Sequence, residues 1–283
     1  MLPTLYTPFG ETGLHDSVAA LLPTEDPPDS PIHLDEAVRE GWLELWYQPE
    51  INARSLAIDR AEALIRIRHP KWGVVPPAYF IPDDGDPHFR ALSEYVIGRA
   101  VEDWRYFASR QAHVQIAINL PIAFLRDSGS LDDLCRQMPD HPAFDGLIVE
   151  INGTEVIRNL ELAKDVARQL RFHKIAIAID DVGAEWSQFS GLADFPFVEI
   201  KVDRKFISGC ADDRLKKSVC RRILALADGY GACTVAEGVE TKADFLAARE
   251  MGFDKVQGFY FERPSTAKKF VGNLLDGPMS LPN

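Results

Sequence analysis

At 283 residues the chain is long enough for one large α/β domain or two small ones, and with 46% hydrophobic and 26% charged residues it has an ordinary globular composition. No apolar stretch approaches the roughly 20 residues a membrane-spanning helix needs, and MLPTLYTPFGETG lacks the basic flank and apolar core of a secretory signal, so a cytoplasmic location is expected. A formal charge of −12 disfavours nonspecific adhesion to nucleic acid or anionic membranes, and four dispersed cysteines without a C-x-x-C pair argue against a zinc site or a disulfide framework.

Residues 1–32, rich in Pro, Asp, Thr and Ser, read as an extension or linker with at most one short helix; structure proper is expected over 33–276, with a tail over 277–283. LELWYQPEI and SLAIDRAEALIRI carry the apolar and β-branched residues of strands. FRALSEYVIGRAVEDWRYFASRQ has the period of a long amphipathic helix, and HVQIAINL predicts another strand. Next come strand GLIVEI, helix ELAKDVARQLRFH, strand KIAIAIDD, with small and β-branched residues suited to burial on both faces, and strand FVEIKVD. Helix DRLKKSVCRRILALADGYG follows, with glycines where a C-cap falls. Strand CTVAEGV, helix TKADFLAAREMG, strand KVQGFYF and a helix near STAKKFVGNLLDG complete the series. Repeated βα units imply a mainly parallel sheet, and about seven or eight of them suit a closed TIM-like barrel better than an open sheet. The doubly wound alternative also lacks its phosphate loop, since neither G-x-G-x-x-G nor G-x-x-x-x-G-K-[ST] follows any strand.

Polar residues stand at the strand ends: Glu62, Asn119, Glu150, Asp180 and Asp181, Lys201, Glu237 and Gln257. In a βα barrel these ends ring one opening, so residues far apart in sequence would meet in one basin. Nearly all are oxygen donors and none is Cys or His, which points to Mg²⁺ or Mn²⁺ over Zn²⁺. Adjacent Asp180 and Asp181 repel each other and resist desolvation, so they call for positive charge. One can hold a cation deeply while its neighbour reaches a second, and two such metals would activate a water for attack on phosphorus. Lys201 could hold that water, neutralise carboxylates or stabilise charge in the transition state.

Taken singly, these residues have plainer readings. Asp180 or Asn119 fits a helix N-cap, with Pro121 where a helix can start; Glu62 fits a solvated strand position, and Glu237 and Glu240 fit first-turn acids. Their coincidence at successive strand ends favours a metal site. Arg66, on the same face as Glu62, is an anion ligand or a surface salt-bridge partner. RLKKSVCRR reads as a solvated helix face, because no aromatic residues interleave, and His69 beside Pro70 as a turn residue.

YQPEINARSLAIDRAEALIRIRHPKWGVVPPAYFIP, INL, VEI, AIDDVG, EIKVDRKFI, AEGVE and QGFYFERP follow in order over about residues 33 to 275. The set resembles the EAL domain, the bacterial cyclic di-GMP phosphodiesterase family named for the tripeptide that stands here as Glu62-Ala63-Leu64. The resemblance implies a barrel with its first strand antiparallel to the rest, and metal-dependent hydrolysis of cyclic di-GMP to linear pGpG. It implies that Glu62, Asn119, Glu150 and Asp180 hold one metal, that Asp181 serves a second, and that Glu237 completes the site. Lys201 would position or deprotonate the attacking water, Glu240 would hold Lys201, and Gln257 would support the site. Arg66 would bind a substrate phosphate, with Gln48, Leu64 and Pro264 along the dinucleotide groove. A homodimer formed near the loop after Asp181 is also implied.

The chain departs from this family in that loop. Where the family tends to D-D-F-G-[TA]-G-Y-S, Val182, Glu185 and Trp186 stand here. The supporting Glu three residues after Glu150 is Gly153, with Glu155 two positions later as a candidate stand-in. FIPDDGDPHF departs too. These differences carry a second expectation, a receptor that binds cyclic di-GMP, hydrolyses it poorly and signals to a protein partner. A protein-interaction module without nucleotide binding is disfavoured by the intact ring and by Arg66.

Overall fold

The computed structural model describes residues 33–81, 87–191 and 195–281; the expected extension over 1–32 and part of FIPDDGDPHF lie outside the described residues. Strands β1 (Leu43–Asn52), β2 (Ile58–His69), β3 (Gly73–Val75), β4 (Gln115–Asn119), β5 (Leu147–Asn152), β6 (Ile175–Val182), β7 (Phe197–Val202), β8 (Cys233–Ala236), β9 (Lys255–Val256) and β10 (Ser265–Thr266) form one sheet. Because β1 pairs with both β2 and β9, the sheet closes into an eight-stranded barrel, with β3 and β10 attached at its margin. β1 is antiparallel to both neighbours, whereas β2 and β4 to β9 pair in parallel. The inversion has a local cause. The Asn52 side chain accepts from Arg54 N (3.1 Å) and Ser55 N (3.0 Å), turning the chain tightly into β2, and only antiparallel strands can be joined so briefly.

The parallel strands alternate with helices, chiefly α1 (Leu34–Arg39), α2 (Pro87–Ser109), α3 (Ile122–Arg126), α4 (Ser128–Gln137), α5 (Gly153–Arg158), α6 (Leu160–Leu170), α7 (Arg204–Ile207), α8 (Arg214–Tyr230), α9 (Lys242–Met251) and α10 (Ala267–Leu275). Their ends follow local chemistry. Asp213 accepts from Leu215 N and Lys216 N at the start of α8, and Gly231 closes that helix in a left-handed conformation. Short α3, α5 and α7 escape periodicity because a single turn has too few residues to display one. Asn119 is not a helix cap, since Pro121 occupies the N-cap position of α3. Among the described residues, no helix is long and apolar enough to cross a membrane.

The expected strand KVQGFYF is regular only over Lys255–Val256. At Gly258 an added Cβ would lie 2.1 Å from Val239 O, and Tyr260 N donates to Val239 O (3.0 Å), so the chain turns under the loop after β8. Only a glycine permits that approach.

Side chains alternate across each strand, and this stacks two polar layers inside the barrel. Two residues before Glu62, Lys201 and Gln257 stand Arg60, Glu199 and Lys255; on the reversed β1, Glu50 follows Gln48 by two. Two residues before Asn119, Glu150 and Asp180 stand Ala117, Ile148 and Ala178, which form a small apolar cluster. In the lower layer Lys255 Nζ lies 3.2 Å from Glu50 and 2.9 Å from Glu199, while Arg60 bonds Glu199 and approaches Glu50 at 3.5 Å. Two cations balance two carboxylates, all buried. Replacing one member leaves its partners charged without water or counter-ion. Glu199→Leu should therefore destabilise the protein by about 3–5 kcal/mol, measured as a lower urea midpoint.

Candidate metal centre

The upper layer is organised by Lys201, which has no exposed surface. Its Nζ lies 3.1 Å from both Glu62 and Glu150, 2.8 Å from Glu237 and 3.9 Å from Asp180. Glu62 also accepts from Asn119 Nδ2 (3.0 Å) and Gln257 Nε2 (2.7 Å). Residues from five strands, with Glu237 and Gln257 just beyond β8 and β9, thus meet in one cluster.

Asp181 requires a separate explanation, because neighbours in a strand point to opposite faces. Its φ of +55° is left-handed, which aspartate tolerates better than most residues. The Asp180 carboxylate accepts from Asp181 N at 2.8 Å, which holds the kink. With the chain turned in this way, carboxylate oxygens of Asp180, Asp181 and Glu237 come within 4.8 Å of one another.

Burial raises the pKa of Glu62, but Lys201 and hydrogen bonds from Gln257, Lys201 and Asn119 outweigh it and hold this carboxyl below its ordinary value. Burial pushes Glu150 well up, and Lys201 does not compensate; Asp180 is also raised by burial. Glu237 is driven well up by burial and by Asp180. Asp181 is pushed up to about 8 by burial, then by the charges of Asp180 and Asp203. Burial alone would lower Lys201, yet Glu150, Glu237 and Glu62 raise it well above the usual lysine value.

When all are ionised, five carboxylates face one ammonium in this layer, and two divalent cations would balance the surplus of four negative charges. The donors are all oxygens, and Glu150 Oε1 lies 3.1 Å from Lys201 Nζ without making a hydrogen bond. Such a set fits hard divalent cations. Glu62, Asn119, Glu150 and Asp180 could hold one, and Asp181 with Glu237 a second.

Other expected residues sit at graded removes from the ring. Arg66 donates to Ile65 O (2.8 Å), and burial lowers its pKa to about 10, so it stays cationic at neutral pH. Gln48 faces Glu62 in register and donates to Glu262 O (3.2 Å). Leu64 pairs in register with Trp46, and Pro264 is buried just before β10. Glu240 was expected to hold Lys201; its ion pair is instead with Arg204, at 2.6 Å. Nearby, the left-handed turn at Gly238 packs against the Arg204 side chain.

The residues that depart from the family pattern have definite contacts. Val182 is buried, Glu185 accepts from Gly183 N (2.9 Å), and the Arg222 guanidinium lies 5.4 Å from the Trp186 ring. Glu155 accepts from Ile122 N (3.1 Å), tying α5 to the start of α3. Asn152, unremarked in the sequence, donates to Asp181 (3.1 Å), and an Asn at a strand end carries no local sign of such a contact.

A closed β/α barrel whose strand ends converge on carboxylates around one buried lysine is the class of protein defined by this geometry. The sequence matches the EAL domain over residues 33–264, and the chain belongs to that family. It is similar to cyclic di-GMP phosphodiesterase PA2567 of Pseudomonas aeruginosa, 30% identical over 227 residues that make up 80% of this chain and 39% of the relative. It is also similar to the oxygen sensor protein DosP of Escherichia coli, 29% identical over 250 residues, 84% of this chain and 30% of the relative. The chain thus spans well under half the length of these curated relatives. Among solved structures, the PaMucR phosphodiesterase in complex with c-di-GMP superimposes with a TM-score of 0.76 at 28% identity, covering 84% of this chain and 97% of that one.

A pH dependence follows from the raised carboxyls. A carboxyl raised on folding stabilises the native state while protonated, a contribution fully present below its ordinary value and lost as pH rises through its folded value. For Asp181 that window runs from 3.8 to about 8. In EDTA, Tm should fall across this range, and excess Mn²⁺ should restore it most at the alkaline end, where the ligands no longer need to shed protons. Differential scanning calorimetry at several pH values reads both effects.

Proposed function

We propose that the chain hydrolyses one phosphodiester of cyclic di-GMP to give linear pGpG, with Mg²⁺ or Mn²⁺ as cofactor. The convergence of Glu62, Asn119, Glu150, Asp180, Asp181 and Glu237 around Lys201 carries this reading. Family membership and the similarity to a relative named a cyclic di-GMP phosphodiesterase support it.

Bound divalent cations would supply Lewis acidity toward the phosphoryl oxygens and lower the pKa of an attacking water. The chain's own residues do the rest. Glu62 is the hub, held by Lys201, Asn119 and Gln257 in one orientation. The Lys201 ammonium orients the water and offsets negative charge as water adds to phosphorus. The water's oxygen bonds to phosphorus as one of its O–H bonds breaks, the bond from phosphorus to the departing ribose oxygen breaks, and that oxygen takes up a proton. One water is thus consumed, and its two parts end on phosphorus and ribose. Arg66, still charged in its partly buried position, would bind a phosphate, while Gln48, Leu64 and Pro264 line the groove for the dinucleotide.

The loop at Val182, Glu185 and Trp186, together with Gly153, favours one rival, a receptor that binds cyclic di-GMP without turning it over and signals to a protein partner. Chromatography of the products after incubation with cyclic di-GMP and Mg²⁺ or Mn²⁺ separates the two. We expect pGpG, abolished by EDTA. Glu62→Ala should slow its formation by more than the roughly 10–100-fold typical of losing a residue that merely orients a ligand. Near-normal turnover in that variant would sink the assignment, and tight binding without product would make the chain a receptor.

A further inference from the structure

Asn152 is the last residue of β5 and stands in register with Asp180. Its side chain has two partners. Oδ1 accepts from Thr154 N at 2.9 Å, capping the first turn of α5, and Nδ2 donates to Asp181 Oδ2 at 3.1 Å. The two contacts fix the amide's orientation, because a flipped group would set its oxygen against a carboxylate and its NH₂ against a backbone N–H. Among the described residues, Asn152 is the side chain that donates a hydrogen bond to Asp181.

Asp181 needs such a restraint. Its left-handed backbone turns the carboxylate toward Asp180 and Glu237, two like charges that repel it. The neighbouring position cannot readily supply one, since a Cβ at Gly153 would lie 3.1 Å from Phe189 Cζ and 3.2 Å from Asp180 O, leaving little room for a side chain. Asn152 reaches Asp181 from a backbone already anchored by the β5–β6 ladder.

We propose that Asn152 is the positioning residue for Asp181. It holds one carboxylate oxygen through a hydrogen bond and leaves the other for the second divalent cation, with the helix cap fixing its own direction. This rests on the two-metal reading of the site given above. In this chain an amide thus performs the supporting task that the glycine at 153 cannot.

The two roles of Asn152 can be separated. Asn152→Ser keeps an N-cap acceptor of equal quality but lacks the amide that reaches Asp181. The test is calorimetric titration of Mn²⁺ into the metal-free full chain, without nucleotide, with thermal melting in EDTA alongside. The parent should take up two Mn²⁺. Asn152→Ser should melt at the same temperature in EDTA and bind the first ion unchanged, but bind the second about tenfold or more weakly. In an Asp181→Ala background the same substitution should have no further effect on Mn²⁺ binding. Unchanged binding of both ions in Asn152→Ser, or an equal loss with and without Asp181, would overturn the proposal. A parent that binds no second Mn²⁺ would instead overturn the two-metal reading, so the two failures appear in different proteins.

Discussion

The ammonium of Lys201 makes it tolerable to gather so many carboxylates at one end of a barrel. Lysine without exposed surface is costly, and it is held here by Glu62, Glu150 and Glu237 within 3.1 Å. The pairing is unequal. Lysine and hydrogen bonds lower only Glu62, while Glu150, Asp180, Asp181 and Glu237 remain above their ordinary values because burial and mutual repulsion outweigh one positive charge. A ring left short of positive charge, with oxygen donors facing one another, has the composition that could hold a divalent cation.

The site shares its strands with a second ionic cluster one pleat below. Arg60 and Lys255 neutralise Glu50 and Glu199, and the same alternation that points them into the lumen points Glu62, Lys201 and Gln257 into the layer above. Sliding any of these strands by one residue would send both sets outward and bring core residues such as Ala61 and Ile200 into the lumen. The lower cluster therefore opposes register slips that would dismantle the upper one, and β1, run in reverse, contributes to both through Gln48 and Glu50.

The loop after Asp181 is a consistent alternative to the family's usual arrangement. A buried Val182 fills space, Glu185 satisfies the Gly183 N–H, Trp186 lies beneath Arg222, and Asn152 steadies the carboxylate. Val182, Glu185 and Trp186 are each accompanied by a contact, so the change in composition of this loop is not by itself a loss of order.

Much of this was legible in the linear chain. The βα alternation, the closed barrel and most of the polar residues that end the strands follow from periodicity and composition, whereas Glu62 lies inside β2 and the buried layer of Glu50, Arg60, Glu199 and Lys255 interrupts the apolar runs. The single-turn helices and the early end of β9 were not legible, since the first lack a full period and the second depends on Gly258 meeting Val239. The sequence by itself therefore determined the order of elements and the kind of ligands available. Only the tertiary structure decided the pairings: Lys201 with four carboxylates, Glu240 with Arg204, and Asn152 with Asp181. Those depend on barrel closure, strand register and one left-handed aspartate, which bring together groups that in the chain are neighbours of nothing they finally touch.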